Sequence, residues 1–387
     1  TGVCVGFPHR SEVPELKPIQ SILHPSCRFD EHLLELTGWI SSYYRAGWGE
    51  VLEAALPPAI RKGKAKEQMT REIFPLKSSD ELLAEAGRIE RRAAAQARIL
   101  KTLVENGGLD RGVERSSLLK EAGAAAASLR RLEKQGWVEE KTRVKRLDPY
   151  ATETASMKPR EELELNADQA AALAAIEPGI DDGRFKTWLL KGVSGSGKTE
   201  VYLRAIRRAL KRGKRGLVLV PEISLTPQTV LRFKQALPGK KVAVLHSMLT
   251  PNERTSQWRD IQEAKADLVI GARSAIFAPL PDLGLIIVDE EHESSYKQDT
   301  SPRYHARDVA VMRGKLLEAT VILGSATPSL ETLHNANTGK YSLLELPRRA
   351  TAHGLPRIHV VDLDGRFYSP SGKGLISPDL DRMLRRE

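Results

Sequence analysis

Two kinds of hydrophobic pattern divide the chain. Before residue 148 the apolar positions recur mainly at spacings of three and four, the mark of amphipathic helices. Leu33–Tyr44 follows that spacing, as do the Ala-, Arg- and Glu-rich stretch Leu82–Leu103 and the shorter Ser116–Glu121 and Ala124–Lys134. Val3, Val5 and Phe7 alternate as in a strand, and Trp137–Val144 reads as strand after Gly136, a helix stop. Pro57-Pro58 and the basic run Arg61-Lys-Gly-Lys-Ala-Lys66 break the pattern, so residues 61–89 read as a linker after a first unit, 1–60. Residues 90–148, helices closed by a strand ribbon, predict a winged helix whose last helix carries Arg130, Arg131 and Lys134. Those side chains are either a DNA-facing row or the solvated face of a small packing domain.

Polar residues 149–164 form a second linker, and from Leu165 the pattern changes. Thr187–Leu190, Gly216–Val220, Val242–Leu245, Asp267–Ile270, Leu283–Val288 and Thr320–Leu323 are short apolar runs alternating with helical segments. Strands apolar on both faces are covered on both sides, which predicts a parallel sheet in an α/β domain over 165–387.

Composition narrows the class. The chain has 387 residues, 41% apolar and 28% charged, enough for two or three folded domains at about 150 residues each. That balance excludes disordered and collagen-like chains. No apolar run approaches the length that spans a bilayer, so no membrane partner is expected. No secretory leader opens the sequence, and Cys4 and Cys27 supply neither a disulfide framework nor a zinc site. The expected location is the cytoplasm. A net charge of +10 favours polyanionic partners without naming one. The opening strand pattern without a Met, and the uncapped helical pattern Pro378–Glu387, suggest a piece of a longer protein.

Gly192, Val193, Ser194, Gly195, Ser196, Gly197, Lys198 and Thr199 fit G-x-x-x-x-G-K-[ST] between a predicted strand and a predicted helix. The glycines let backbone N–H groups curl around phosphate oxygens, and the helix N-terminus adds positive potential. Lys198 would neutralise the β/γ-phosphates and Thr199 would ligate Mg²⁺. Further on, Leu283–Val288 ends in Asp289, Glu290, Glu291 and His292. Asp289 suits the magnesium shell, and Glu290 suits the activation of a water. Gly324-Ser325-Ala-Thr327 follows the next strand, where a Ser/Thr pair could relay nucleotide state to a bound polymer. Gln169 offers an amide that matches an adenine edge. Arg204, Arg207, Arg208, Lys211 and Arg212 read as the solvated face of the helix after the P-loop.

Glutamine, P-loop, Asp-Glu-x-His and Ser-Ala-Thr in this order resemble the first motor lobe of superfamily 2 helicases. Val218-Leu-Val-Pro-Glu-Ile-Ser-Leu-Thr-Pro-Gln228, Leu245-His-Ser247, Ile270–Phe277, Ser294–Gln298 and Arg303–Asp308 narrow the resemblance to the PriA family of replication-restart helicases. Residues 1–60, with Leu16-Lys17-Pro18 and Gly49-Glu-Val-Leu52, are similar to part of that family's 3′-DNA-end-binding domain. The resemblance implies an ATP- and Mg²⁺-dependent 3′→5′ DNA helicase, bacterial and nucleoid-associated. Its partners would be forks, D-loops, 3′ ends and single strands, with single-stranded-DNA-binding protein and primosome proteins. It implies that Lys17 lines the 3′-end pocket. It also implies that Arg273, Ser274, Tyr296, Lys297, Arg303, Tyr304, Ser325 and Thr327 bind DNA or couple it to ATP turnover, the two tyrosines either stacking on bases or packing under the loop. The family binds zinc, but its cysteine-rich module and second lobe are not in this stretch, which is therefore expected to be poorly active alone. Two other classes remain: a DNA-structure-binding scaffold with a non-hydrolysing lobe, and a junction or restriction-type translocase.

Overall fold

The computed structural model of the chain describes residues 3–5, 29–61, 69–107, 112–144, 147–155, 157, 158, 160, 162–350, 360, 380, 382 and 383. Lys17, Cys27 and Phe7 lie outside the described residues, as does most of Pro378–Glu387, and Val3–Val5 form no strand.

Helices α1 (Glu31–Tyr44), α2 (Trp48–Ala55) and α3 (Pro58–Arg61) come first. The Asp30 side chain accepts from Leu33 N at the start of α1, and Arg45 ends the helix in the left-handed region at φ 53°. Next comes a module of β1 (Met69–Pro75), α4 (Ser79–Ile89), α5 (Ala94–Glu105), β2 (Val113–Glu114), α6 (Arg115–Glu121), α7 (Ala126–Lys134) and β3 (Val138–Val144). Its antiparallel sheet has the order β2-β1-β3, and Ile73, Leu82, Leu100, Leu103, Leu118, Leu132 and Val138 form its core.

Two expectations are corrected here. Residues 69–89, read as linker, supply the central strand of the winged-helix sheet and its first helix; β1 pairs with β3 from Met69↔Val144 to Pro75↔Val138. Leu82–Leu103 is two helices, not one. The break falls at Glu90–Ala93, where the chain reverses so that α4 and α5 pack on each other. Arg130, Arg131 and Lys134 are exposed on α7, opposite the buried Leu129 and Leu132.

After α8 (Ala151–Ala155) the α/β domain runs α9 (Ala167–Asp182), β4 (Lys186–Gly192), α10 (Lys198–Lys211), β5 (Arg215–Leu219), α11 (Pro227–Ala236), β6 (Val242–Leu245), α12 (Pro251–Gln262), β7 (Leu268–Gly271), β8 (Leu283–Val288), α13 (Ala306–Leu316), β9 (Thr320–Ser325), α14 (Leu330–Asn337) and β10 (Ser342–Leu346). The seven strands are all parallel, in the order β10-β4-β9-β8-β5-β7-β6. Helices cover both faces, giving one core around Tyr202, Ile206 and Val244 and another around Phe277, Val309 and Val321. The second core also takes in Leu33, Leu36, Ile40, Val51 and Ile60, so α1–α3 pack as part of the α/β domain. Among the described residues no helix is long and apolar enough to cross a membrane.

Candidate nucleotide and DNA site

Parallel strands deliver their carboxyl ends to one edge, where open α/β sheets bind ligands. Strands β4, β9 and β8 lie side by side, so Gly192–Thr199, Ser325–Thr327 and Asp289–His292 meet there. The register puts Lys191 beside Ser325 and Val288 beside Leu323. Gly195 and Gly197 take φ of 79° and 81°, which curls the loop into a cradle ahead of α10. A Cβ on Gly197 would sit 2.3 Å from Gln169 Nε2, so any other residue would push that amide off Ser196 O and strain the loop.

Lys198 is buried; its Nζ donates to Gly192 O at 3.1 Å and lies 3.5 Å from Glu290 Oε1. Glu290 has a φ of 44°, a strained conformation for a non-glycine residue at the tip of β8. Asp289 is half-buried beside it. Burial and then the Glu290 charge push its carboxyl above the usual carboxylate range, against a hydrogen bond donated by Tyr202 Oη at 2.9 Å. Ser196 Oγ is buried and, among the described residues, has no hydrogen-bond partner. An orphaned hydroxyl, a curled glycine loop and a lysine facing two carboxylates suit a Mg²⁺–triphosphate. Among the described residues no cluster of three or more His, Cys, Asp or Glu could hold a metal alone, so Thr199 and Asp289 would share it with phosphate oxygens.

Gln169 sits in the first turn of α9. Its Oε1 accepts from Asn166 N at 2.9 Å, and its Nε2 donates to Ser196 O at 2.8 Å. One lone pair and one N–H remain for an adenine edge, so the residue ties the helix start to the P-loop first. His292 bridges the two neighbouring turns, with Nδ1 2.8 Å from Ser325 Oγ and Nε2 3.4 Å from Thr327 Oγ1. A relay between the acidic strand tip and the Ser-Ala-Thr turn therefore has a physical link.

The loop Ser294–His305 decides between stacking and packing for its two tyrosines. Tyr296 and Tyr304 are both buried: Tyr296 Oη donates to Asp289 O at 2.6 Å, and Tyr304 packs edge-on against Phe277 at 5.2 Å. Neither ring can receive a base. Arg273 is drawn into the same loop, donating to Ser295 O at 3.2 Å and Lys297 O at 2.6 Å, while Ser274, Lys297 and Arg303 stay exposed. The arginine expected on a DNA phosphate also holds the loop, through Nη1.

Several residues escaped the sequence reading. Tyr202, four residues after Lys198 on the same face of α10, holds Asp289 and makes Gly324 obligatory, since a Cβ there would lie 1.6 Å from its Oη. Glu291 is fully buried; it accepts from Arg307 Nη1 at 3.1 Å, Ser329 N at 2.8 Å and Thr332 Oγ1 at 2.8 Å, bolting β8 to α13 and α14. The chain after β10 crosses the P-loop, where Val193 N donates to Leu346 O, Ala350 N donates to Gly195 O, and Arg348 makes a bidentate pair with Asp168 at 2.8 Å.

Comparison with known proteins decides the lineage. The family profile described as DEAD/DEAH box helicase matches residues 166–336, and that of the 3′DNA-binding domain (3′BD) of PriA matches residues 1–57. "Replication restart protein PriA" of Chlamydia pneumoniae is 38% identical over 100% of this chain and 51% of its own length. That of Haemophilus influenzae is 38% identical over 98% and 50%. That of Bacillus subtilis is 43% identical over 78% and 37%. The chain belongs to the PriA family. It spans between about a third and a half of the length of these PriA relatives. Among solved structures, RecG bound to a three-way DNA junction aligns over 54% of this chain and 26% of its own at 22% identity and a TM-score of 0.36, a likeness too slight to add to the fold. The PriA-type helicase lobe implies nucleotide and Mg²⁺ use in general terms.

Proposed function

We propose that the chain carries the ATP-binding lobe of a replication-restart DNA helicase that moves 3′→5′, engages stalled forks and D-loops, and promotes primosome assembly. The supporting observation is the meeting of Lys198 with Asp289 and Glu290 across one edge of the sheet, in a chain of PriA lineage. Lys198 is shared between Gly192 O and Glu290. A γ-phosphate would draw the ammonium away, leaving the Glu290 carboxylate to orient a water and take its proton. Mg²⁺, held by Thr199 and Asp289, would neutralise charge on the phosphates. Tyr202 fixes the Asp289 carboxylate while His292 carries the state of the strand tip to Ser325 and Thr327. In the whole protein, single-stranded-DNA-binding protein and primosome proteins are the proposed partners, and the bacterial nucleoid the proposed location.

Binding of a fluorescent ATP analogue with Mg²⁺, alongside phosphate release with and without DNA, tests this reading. Lys198→Ala should abolish measurable binding. Glu290→Gln should bind within a few-fold of wild type yet lose about 10²–10⁴ in hydrolysis, the usual loss of a general base. With the second lobe present, a protein that binds nucleotide but never releases phosphate, with or without DNA, would make this lobe a scaffold.

A further inference from the structure

The loop that buries its own tyrosines lies beside three rings at the end of α1. Leu33, Leu36 and Ile40 point that helix into the core, so Trp39 and Tyr43, four residues apart, share an outer edge. Their rings stack at 4.9 Å and 20°, and Tyr44 meets both edge-on, 4.9 Å from Tyr43 and 6.2 Å from Trp39. Tyr43 is 62% exposed, an unusual position for a large ring that carries no part of the core. Tyr44 is fastened to the motor lobe: its Oη accepts from His305 N at 3.2 Å, and Lys297 Nζ sits 5.1 Å from its ring centroid. Lys297 Nζ also donates to Arg303 O at 2.5 Å, which places the exposed Arg303 next to the shelf. Glu50, at the start of α2, joins the same seam by accepting from Ser301 Oγ.

We propose that this shelf is a stacking site for an unpaired nucleobase of single-stranded DNA. Tyr43 presents the open ring face, Trp39 backs it, and Lys297 with Arg303 takes the adjoining phosphates. The proposal rests on the reading of the chain as a DNA motor. The rings suit a base better than an aliphatic side chain because stacking uses the flat face already held rigid by Trp39, and because Lys297 and Arg303 put two cations beside it, with Glu50 and Asp308 on the Tyr44 side. Stacking tolerates any sequence, as a translocating motor requires. The shelf also lies on the seam between residues matched to a DNA-binding domain and the ATP-binding lobe.

The test is fluorescence anisotropy of the whole chain with labelled oligo(dT) and with an abasic strand of equal length. Wild type should bind oligo(dT) about 5- to 100-fold more tightly than the abasic strand, the range of one base–aromatic stack. Tyr43→Ala should lose that preference while keeping its affinity for the fluorescent ATP analogue, and Tyr43→Trp should retain it. Lys297→Ala should leave the preference but reduce the slope of log K against log salt by about 0.7, one single-strand phosphate contact. A wild type that binds both strands equally, or a Tyr43→Ala variant that keeps the preference, overturns the shelf and leaves the motor reading standing. A wild type that binds nucleotide but neither strand overturns both.

Discussion

The winged-helix module and the N-terminal helices are both accessories to the same lobe, yet they are attached in opposite ways. The module closes its own core around Ile73, Leu100, Leu103 and Leu132 and pairs its own sheet. Helices α1 and α2 have no such core; Leu33, Leu36, Ile40 and Val51 lie in one cluster with Phe277, Tyr304, Val309 and Val321. A pair of helices is too small to bury both its apolar faces alone, so it completes the lobe instead. Sequence order therefore does not set the mechanical unit: residues 29–61 and the lobe form one body across about a hundred intervening residues that fold separately.

The largest test of that contrast is a matched pair of core truncations. Leu36→Ala should destabilise the ATP-binding lobe by about 2–5 kcal/mol, and Leu103→Ala should cost a similar amount only in the winged-helix module. Calorimetry should resolve two transitions, the first substitution lowering one and the second lowering the other. Leu36→Ala leaving the lobe transition in place would show that α1 is peripheral.

Nucleotide gives the next largest effect and needs no substitution. Ligand at about 100 times its dissociation constant stabilises the state it binds by about 2.7 kcal/mol. Saturating Mg²⁺–ATP analogue should slow amide exchange at Leu36 and Ile40 together with the lobe, and leave Leu100 and Leu103 unchanged. Equal protection of both regions would join the module to the motor.

How far the sequence revealed this depends on where each signal came from. The P-loop and the acidic strand tip are local patterns, and all six apolar runs are strands within a residue or two of their expected ends. Met69–Pro75 was missed because its polar face alternates with only a few apolar residues, and its main partner β3 lies about seventy residues on. β10 was missed for a related reason: at the sheet edge only Leu346 is fully buried, so its run lacks the continuous apolar character of the inner strands. Tyr296 and Tyr304 show the limit most clearly. An aromatic ring in a polar loop reads the same whether it faces a base or the core, and only the packing of Phe277 and the position of Asp289 O decide it. Tyr202 had a usable signal, a shared helix face with Lys198 together with the glycine at 324, but the two become one observation only when β9 and α10 are side by side.

The smallest effect concerns the short segment by which the module is anchored. Leu147 N donates to Ser256 Oγ and Leu147 O accepts from Gln257 Nε2, each at 2.7 Å. Lys234 Nζ donates to both Asp148 oxygens at 2.7 and 2.8 Å, and Tyr150 Oη lies 3.1 Å from His246 Nε2. Burial lowers the His246 pKa, with Arg254 adding to it against Glu222 and Glu253. Burial raises that of Tyr150, helped by Glu153, Glu253 and Asp148. Both shifts favour a neutral imidazole facing a neutral phenol. Because the folded state resists protonating His246, the unfolded state binds more protons below about pH 6.5, so this contribution is complete above that value and declines as pH falls through it. Lowering the pH from 7.5 to 5.5 should speed amide exchange at residues 147–150, after correction for intrinsic rates. Tyr150→Phe should remove about 0.5–1.5 kcal/mol at pH 7.5, and His246→Gln, which removes the titrating ring, should flatten the pH difference. A pH difference of the same size in His246→Gln would assign the sensitivity to another group. A wild type with no pH difference would leave Lys234 and Gln257 as what fastens the winged helix to the lobe.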